Sequence, residues 1–258
     1  MRPAGRRNPS LFPFAASILV AFLAWEAAAR LSGIPSFLLP TPEDVVRELL
    51  RAWSFDDLPR HILATLVEVL AGLALGLGLA LGLGYGLAKS PVLERFVSPY
   101  LVASQSIPVV ALAPLLVIWF GPGRLSKILI CALIVFFPAL VNTILGLRSV
   151  PPELRDLLRS LRASAWHTFT KLEVPAASPA VLTGLRVGAT LSVIGAVVGE
   201  FVAAEEGLGF LLNVARGQYN TALVFGCVLV LVGLALGLYG LTSLLETRLL
   251  RWRDEQSG

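Results

Sequence analysis

A chain of 258 residues could build one or two soluble domains, but 56% hydrophobic residues, only 15% charged residues and a mean hydropathy of +0.78 exclude an ordinary globular protein. A net charge of +4 and a pI near 9.4 could signal nucleic acid. The basic residues are instead dispersed between apolar runs, with no basic patch interleaved with aromatics, so no nucleic acid is expected as a partner. The composition is that of an integral membrane protein, and its basicity reads as membrane topology.

Six segments carry the roughly 20 apolar residues a helix needs to cross the hydrocarbon core: 11–31, 62–88, 99–120, 125–147, 180–204 and 221–246. The predicted fold is all-α, six transmembrane helices in a single domain over 1–258, with a cytoplasmic loop at 148–179. Arg2, Arg6 and Arg7 precede the first segment as in a signal peptide, but its apolar run is long and no small-x-small site closes it, so it reads as a retained span. Six spans put both termini on one side. With the N-terminus cytoplasmic, the inner face holds 14 of the Lys and Arg residues and the outer face 7, Lys127 among the latter. The positive-inside rule selects that orientation, which predicts a multi-pass protein of the plasma (cell inner) membrane with both termini in the cytoplasm.

After the first span, TPEDVVRELLRAW offers Thr41 as an N-cap and Pro42 as a first helical residue, with Val45, Leu49 and Trp53 at helical spacing. This predicts a short amphipathic helix covering the outer interface. The second span carries small-xxx-small pairs at Gly72/Gly76 and Gly78/Gly82, and the sixth repeats the device at Gly233 and Gly237. These are packing faces, within the subunit or between subunits; no Lys-Ser/Thr follows them to make a phosphate cradle. The third span is interrupted by Pro99, Pro108 and Pro114, with Ser104-Gln105-Ser106 before the middle proline. Broken backbone at membrane depth needs protein or a water-filled cavity to satisfy it, so a transport pathway and a simple kink both stand.

Ionisable groups within spans are costly and therefore candidates for function. Glu200, near the outer end of the fifth span, is the first of these, ahead of Glu68 and Glu26. It could gate, line a cavity or pair with a neighbouring span. Ser104, Gln105, Ser106, Asn142 and Thr143 are the polar groups expected to meet a solute. Cys131 and Cys227 fall inside apolar runs, where a thiol behaves as a small hydrophobe, so no disulfide and no metal site is expected.

The loop at 148–179 differs from everything around it. After Pro151 and Pro152, Leu154, Leu157, Leu158, Leu161 and Ala165 form one apolar stripe, while Arg155, Arg159 and Arg162 recur on the other side. A break is predicted at Val174-Pro175, with Ser178-Pro179 capping and starting the fifth span. The segment could rest on anionic lipid. Its stiff, proline-bounded link to the next span would instead transmit a push on the helix to that span.

This segment resembles the "EAA" loop of the membrane subunits of bacterial ABC importers, whose pattern is E-A-A, three residues, G, nine residues and I-x-L-P. Asp156-Leu157-Leu158 stand at the E-A-A positions, Arg162 at the glycine, and Leu172-Glu173-Val174-Pro175 at I-x-L-P. The Asp, the two Leu and the Arg depart from the pattern. A glycine would permit a sharp turn there, whereas Arg162 needs room and either a carboxylate or water. Ordered blocks elsewhere carry the likeness to the nitrate/sulfonate/taurine-type permease family over nearly the whole chain: LPTPEDV at 39–45, IPVVALAPLLVIWFGPG at 107–123, FFPALVNTILGL at 136–147, PAASPAVLTGLRVGATLSVIGAVVGEF at 175–201 and GLGFLL at 207–212.

The resemblance implies the type I ABC importer permease fold with a cytoplasmic coupling helix. It further implies a dimer of permeases, two copies of an ABC ATPase subunit beneath and an extracytoplasmic solute-binding protein above. Arg155, Asp156, Leu157, Leu158, Arg159, Arg162, Ala163 and Pro175 would then meet the ATPase. Nothing in the chain resembles GxxxxGK[ST], so ATP hydrolysis is expected on another polypeptide, with no cofactor and no enzyme activity here. Family members carry nitrate, sulfonates or taurine, and close relatives pyrimidine precursors of thiamine or riboflavin; the lack of an Arg cluster within the spans leans toward a neutral or aromatic solute. An ion-coupled secondary transporter is the alternative. A membrane enzyme is not supported, since His61 and His167 fall on opposite sides of the membrane and no catalytic cluster accompanies them.

Overall fold

A computed structural model describes residues 11–55 and 57–250, with side chains described from residue 16 onward except that of Gln105. Arg2, Arg6, Arg7, Arg251 and Arg253, counted toward the inner face, lie outside these residues. Every described element is helical: α1 (Leu11–Leu31), α2 (Pro42–Phe55), α3 (Leu58–Lys89), α4 (Pro91–Gln105), α5 (Val109–Phe120), α6 (Arg124–Arg148), α7 (Pro152–Ser160), α8 (Ala165–Thr168), α9 (Val174–Val202), α10 (Leu208–Gly217) and α11 (Thr221–Leu249). A five-residue π-turn, Phe169–Glu173, joins α8 to α9, so Ala165–Val202 is one helical run.

Four of these are long and apolar enough to cross a membrane: α3, α6, the run Ala165–Val202, and α11. The segment expected as a single third span, 99–120, is two helices meeting at 95°. The break falls at Ser106–Pro108, where Pro108 cannot donate to the ladder and instead takes extended backbone (φ −62°, ψ 116°) as the N-cap of α5. Pro99 and Pro114 remain inside α4 and α5. Helix α4 also begins earlier than the expected span, because Ser90 caps it by accepting from the Leu93 N–H (3.2 Å) and Pro91 suits its first turn.

The described residues form two compact units: one is those up to Leu58 with Leu212–Leu229, the other Pro59–Leu211 with those from Val230 onward. In the first, Thr41 and Pro42 start α2 as predicted. The Thr41 hydroxyl accepts from Asp44 N–H (3.2 Å) while donating to the Asp44 carboxylate (2.7 Å), and this bond holds the Asp44 carboxyl below its usual range. The packed stripe is Val45, Leu49 and Ala52; Trp53, expected on it, is exposed, because a seven-residue step closes two helical turns more nearly than eight. Leu49 packs on Gly226, and the Trp25 indole stacks on Phe225 at 5.7 Å.

In the second unit α6 is the central element, and its most extensive contact is with α9. Glycines set the approach on both sides. A methyl at Gly76 would lie 2.5 Å from the Ala132 carbonyl oxygen, and one at Gly195 2.8 Å from the Cys131 Cα, so α3 and α9 meet α6 backbone to backbone. Val69, Leu73, Cys131, Val135, Ala189, Val193 and Ala196 form the core between them. Cys131 and Cys227 are both buried, in keeping with a thiol that packs as a small hydrophobe. A methyl at Gly78, Gly82, Gly233 or Gly237 would meet nothing within 4 Å among the described residues.

Candidate coupling helix and translocation groups

At one end of the second unit, α7 projects from the end of α6. The expected amphipathic stripe is shorter than predicted: the helix stops at Ser160, and Leu161, Arg162 and Ala165 lie beyond it. Arg162 N–H donates to the Arg159 carbonyl and Ala163 N–H to the Leu158 carbonyl, both at 2.9 Å, with Arg162 at φ +53°. This is a Schellman closure, and Arg162 holds the left-handed position that glycine ordinarily fills. The glycine of the family pattern therefore has a backbone reason, and Arg162 meets the same conformation at a steric cost. Leu154, Leu157, Leu161 and Trp166 are all exposed, which leaves the apolar face of this segment uncovered. Asp156 and Arg159 are exposed and face one another at 3.4 Å, a pairing of little energetic weight.

Arg155 turns the other way. Its Nη2 donates to the Leu147 carbonyl at the end of α6 (2.7 Å), and its Nε lies 3.9 Å from the buried Glu173 carboxylate. The predicted break at Val174-Pro175 and the predicted cap at Ser178-Pro179 are absent. The helix passes through both prolines because the π-turn widens the ladder just before Pro175, and the Ser178 hydroxyl takes the Pro175 carbonyl (2.8 Å) that Pro179, lacking an N–H, leaves unbonded. Beside this stretch lies a cavity of about 970 Å³, lined among others by Gly82, Tyr85, Thr143, Trp166, Phe169 and Leu182.

Among the described side chains of the predicted solute-facing groups, only Thr143 borders this cavity, and its hydroxyl is spent on the Ala139 carbonyl (2.7 Å). Asn142 Nδ2 donates to the Pro138 carbonyl (2.8 Å), Ser104 to Leu101 and Ser106 to Val102. Each of these groups satisfies itself on its own helix. The side chain of Gln105 lies outside those described.

Glu200 stands at the opposite end of α9 and is buried. One oxygen accepts from the Thr65 hydroxyl (2.6 Å) and the other from the Gly209 N–H; Thr65 in turn accepts from Leu208 N–H (2.8 Å), and His61 Nδ1 from Gly207 N–H (3.0 Å). The carboxylate thus caps the N-terminus of α10, where the unpaired amides favour an anion. Gly207 (φ +118°) permits this: a methyl there would sit 2.2 Å from the Glu200 Cδ. Nearby, Glu68 and Lys127 pair at 2.8 Å with both side chains sealed from solvent. Lys127, counted above as an outer charge, is therefore an internal one. Glu206, in the loop before α10, receives Arg124 (3.0 Å) and Arg60 (3.2 Å), and the Arg124 guanidinium in particular holds its carboxyl below the usual range. The tie between Glu206 and two helix starts had no periodic signal in the sequence.

Residues 72–251 match the family of binding-protein-dependent transport system inner membrane components. The chain belongs to this family. Three relatives show its breadth. The riboflavin transport system permease protein of Chloroflexus aurantiacus is 46% identical over 92% of this chain and 88% of its own length. The formylaminopyrimidine transport permease protein of Halalkalibacterium halodurans is 39% identical over 96% and 97%. The taurine transport system permease protein of Escherichia coli is 31% identical over 93% and 89%. The protein is thus the membrane-spanning permease subunit of an ABC transporter, a multi-pass inner membrane component that depends on a binding protein and an ATPase, and the secondary-transporter alternative falls away.

Proposed function

We propose that this permease forms, as a homodimer of six-span subunits, the translocation path of an ATP-driven importer, with α7 as the coupling helix received by each of two ATPase subunits. The six spans are α1, α3, the bent pair α4 and α5, α6, α9 with its preceding turn, and α11, with both termini cytoplasmic. The observation that carries the coupling assignment is that α7 and the turn after it leave both an apolar side, at Leu154, Leu157 and Leu161, and a basic side, at Arg159 and Arg162, exposed. A short helix with no cover on either side has the surface a cleft in a partner could receive. Closure of the ATPases would draw the coupling helices together and switch the path between inward-open and outward-open states. In reconstituted membranes, Arg159→Glu with Arg162→Glu is expected to abolish coupled uptake while the permease remains inserted. Normal uptake by that variant overturns the assignment.

The solute we propose is a neutral, ring-bearing molecule of the riboflavin or formylaminopyrimidine kind. Two observations support this. Two cations in the interior of the long spans are paired internally, Lys127 with Glu68 and Arg186 with Glu246, so neither of these is available to a sulfonate. The cavity near α7 is walled by Tyr85, Trp166 and Phe169, which suit a flat ring. Uptake of labelled riboflavin, formylaminopyrimidine and taurine, measured side by side with the cognate binding protein, decides the matter. Preference for taurine refutes the proposal.

A further inference from the structure

Glu173 is the only carboxylate at the base of α7 that is fully buried among the described residues, and helices from three parts of the chain converge on it. Its side chain is 1% exposed. From the last turn of α3, Lys89 Nζ reaches Oε1 at 2.5 Å and the Tyr85 hydroxyl donates to Oε2 at 3.3 Å. From α7, Arg155 Nε stands 3.9 Å away while its Nη2 holds the Leu147 carbonyl at the end of α6. Glu173 itself closes the π-turn from which α9 departs. Aromatic contacts reinforce the convergence: Phe169, the first residue of that turn, meets Tyr85 edge to face at 5.3 Å, and Lys89 lies 5.3 Å from the Tyr85 ring centre.

A π-turn is a poor place to store stability, since its wide ring packs less well than an α-turn, and such turns recur where helices must adjust. Here it joins α8, which follows α7 and its closing turn, to the long α9. A displacement of α7 moves Arg155. Arg155 is attached at once to the end of α6 and, electrostatically, to Glu173; Glu173 is held by Lys89 to the end of α3. The force on one short helix is therefore delivered to α6 through the Leu147 carbonyl and to α3 and α9 at one buried carboxylate, in the widened turn from which α9 departs.

We propose that Glu173, with Lys89 and Arg155, is the positioning joint that converts movement of the coupling helix into movement of α3 and α9. This rests on the coupling reading of α7. The structure offers Glu173 no place on the ATPase-facing side, so its role is exerted through Arg155 and Lys89 and not by contact with the partner.

The test uses the full permease assembled with its ATPase and binding protein in liposomes, scoring solute taken up per ATP hydrolysed. Glu173→Gln preserves size and hydrogen-bonding shape while removing the charge. Uptake per ATP is expected to fall by about tenfold, within the span of ordinary coupling between sites, while ATP hydrolysis and ATPase association stay near those of the unsubstituted complex. Lys89→Gln, altering a half-exposed side chain, moves the ratio in the same direction. The double variant is no worse than either single one, because both changes break one link. Lys89→Arg, which keeps the charge, retains most of the coupling. An unchanged ratio in both single variants overturns the joint, as does a parallel fall of uptake, hydrolysis and assembly, which marks a merely structural residue. Absence of any ATP-driven uptake by the unsubstituted complex removes the importer reading, and the joint with it. If hydrolysis and uptake are intact but the ratio is insensitive to Glu173, the joint alone fails.

Discussion

Lys127 and Glu68 form an ion pair at 2.8 Å with both side chains shut off from solvent, α6 contributing one charge and α3 the other. Neither charge has water to fall back on, so each depends on its partner for stabilisation at that depth. Lys127→Met alone leaves Glu68 without its counter-charge and is expected to cost about 3–5 kcal/mol. Adding Glu68→Gln recovers a substantial part of that loss. Unfolding of the purified permease in detergent, run as a double-mutant cycle, measures both; additive losses would mean the two residues do not act as a pair.

Arg162 allows a second prediction, because its backbone conformation and its side chain can be separated. Arg162→Gly relieves the left-handed strain at φ +53° and is expected to firm the end of α7 by about 1 kcal/mol. Slower hydrogen exchange of the Arg162 and Ala163 amides, which donate to Arg159 and Leu158, reports it. Faster exchange would show that the arginine side chain contributes more to this turn than its backbone costs.

The glycines of α3 should divide sharply by face. Gly76→Ala places a methyl 2.5 Å from the Ala132 carbonyl oxygen and is expected to destabilise by about 1–3 kcal/mol through overpacking. Gly78→Ala, pointing into open space two residues along, is neutral in the isolated subunit or slightly stabilising through helix propensity. Thermal midpoints of the two variants in detergent distinguish them. Equal loss from both would contradict the packing of α3 on α6.

Glu206 gives the pH dependence. Its folded-state carboxyl is held down, first by Arg124, so the stability it contributes is present above the ordinary glutamate value near 4.5 and disappears as pH falls through the depressed one. The bridge is solvent-facing, with both arginines more than half exposed, so it should also weaken with salt. Melting curves of the parent protein and Glu206→Gln should converge on acidification and at high ionic strength. A gap that persists at low pH would assign the effect to packing.

Some of this was legible along the chain because it depends on residue type and period alone. The caps at Thr41 and the start of α7 at Pro152 were visible because a hydroxyl or a proline acts on the amides next to it. The small-residue face at Gly72 and Gly76 was visible because i, i+4 spacing puts both on one side of a helix. The break before the fifth span was not correctly legible. Two prolines in Val174–Pro179 ordinarily end a helix, and only the π-turn together with the Ser178 hydroxyl lets this one continue. The bend at Ser106–Pro108 was visible as an interruption, while its division of the span into two helices was not.

The charged groups mark the boundary most clearly. Composition and patterning by themselves determined a helical membrane protein with an amphipathic basic insert, because burying apolar residues and hydrogen-bonding the backbone in lipid leave few other solutions. The sequence could not say that Lys127 is internal, that Glu200 caps α10 through the Gly209 amide, or that Arg155 faces Glu173 while Arg159 faces solvent. Those pairings join residues from 9 to 59 positions apart. They form only when helix packing fixes which side chains share a low-dielectric space. The tertiary structure decided them because a buried charge is stabilised by the partner at hydrogen-bonding distance, and period and propensity carry no record of that distance.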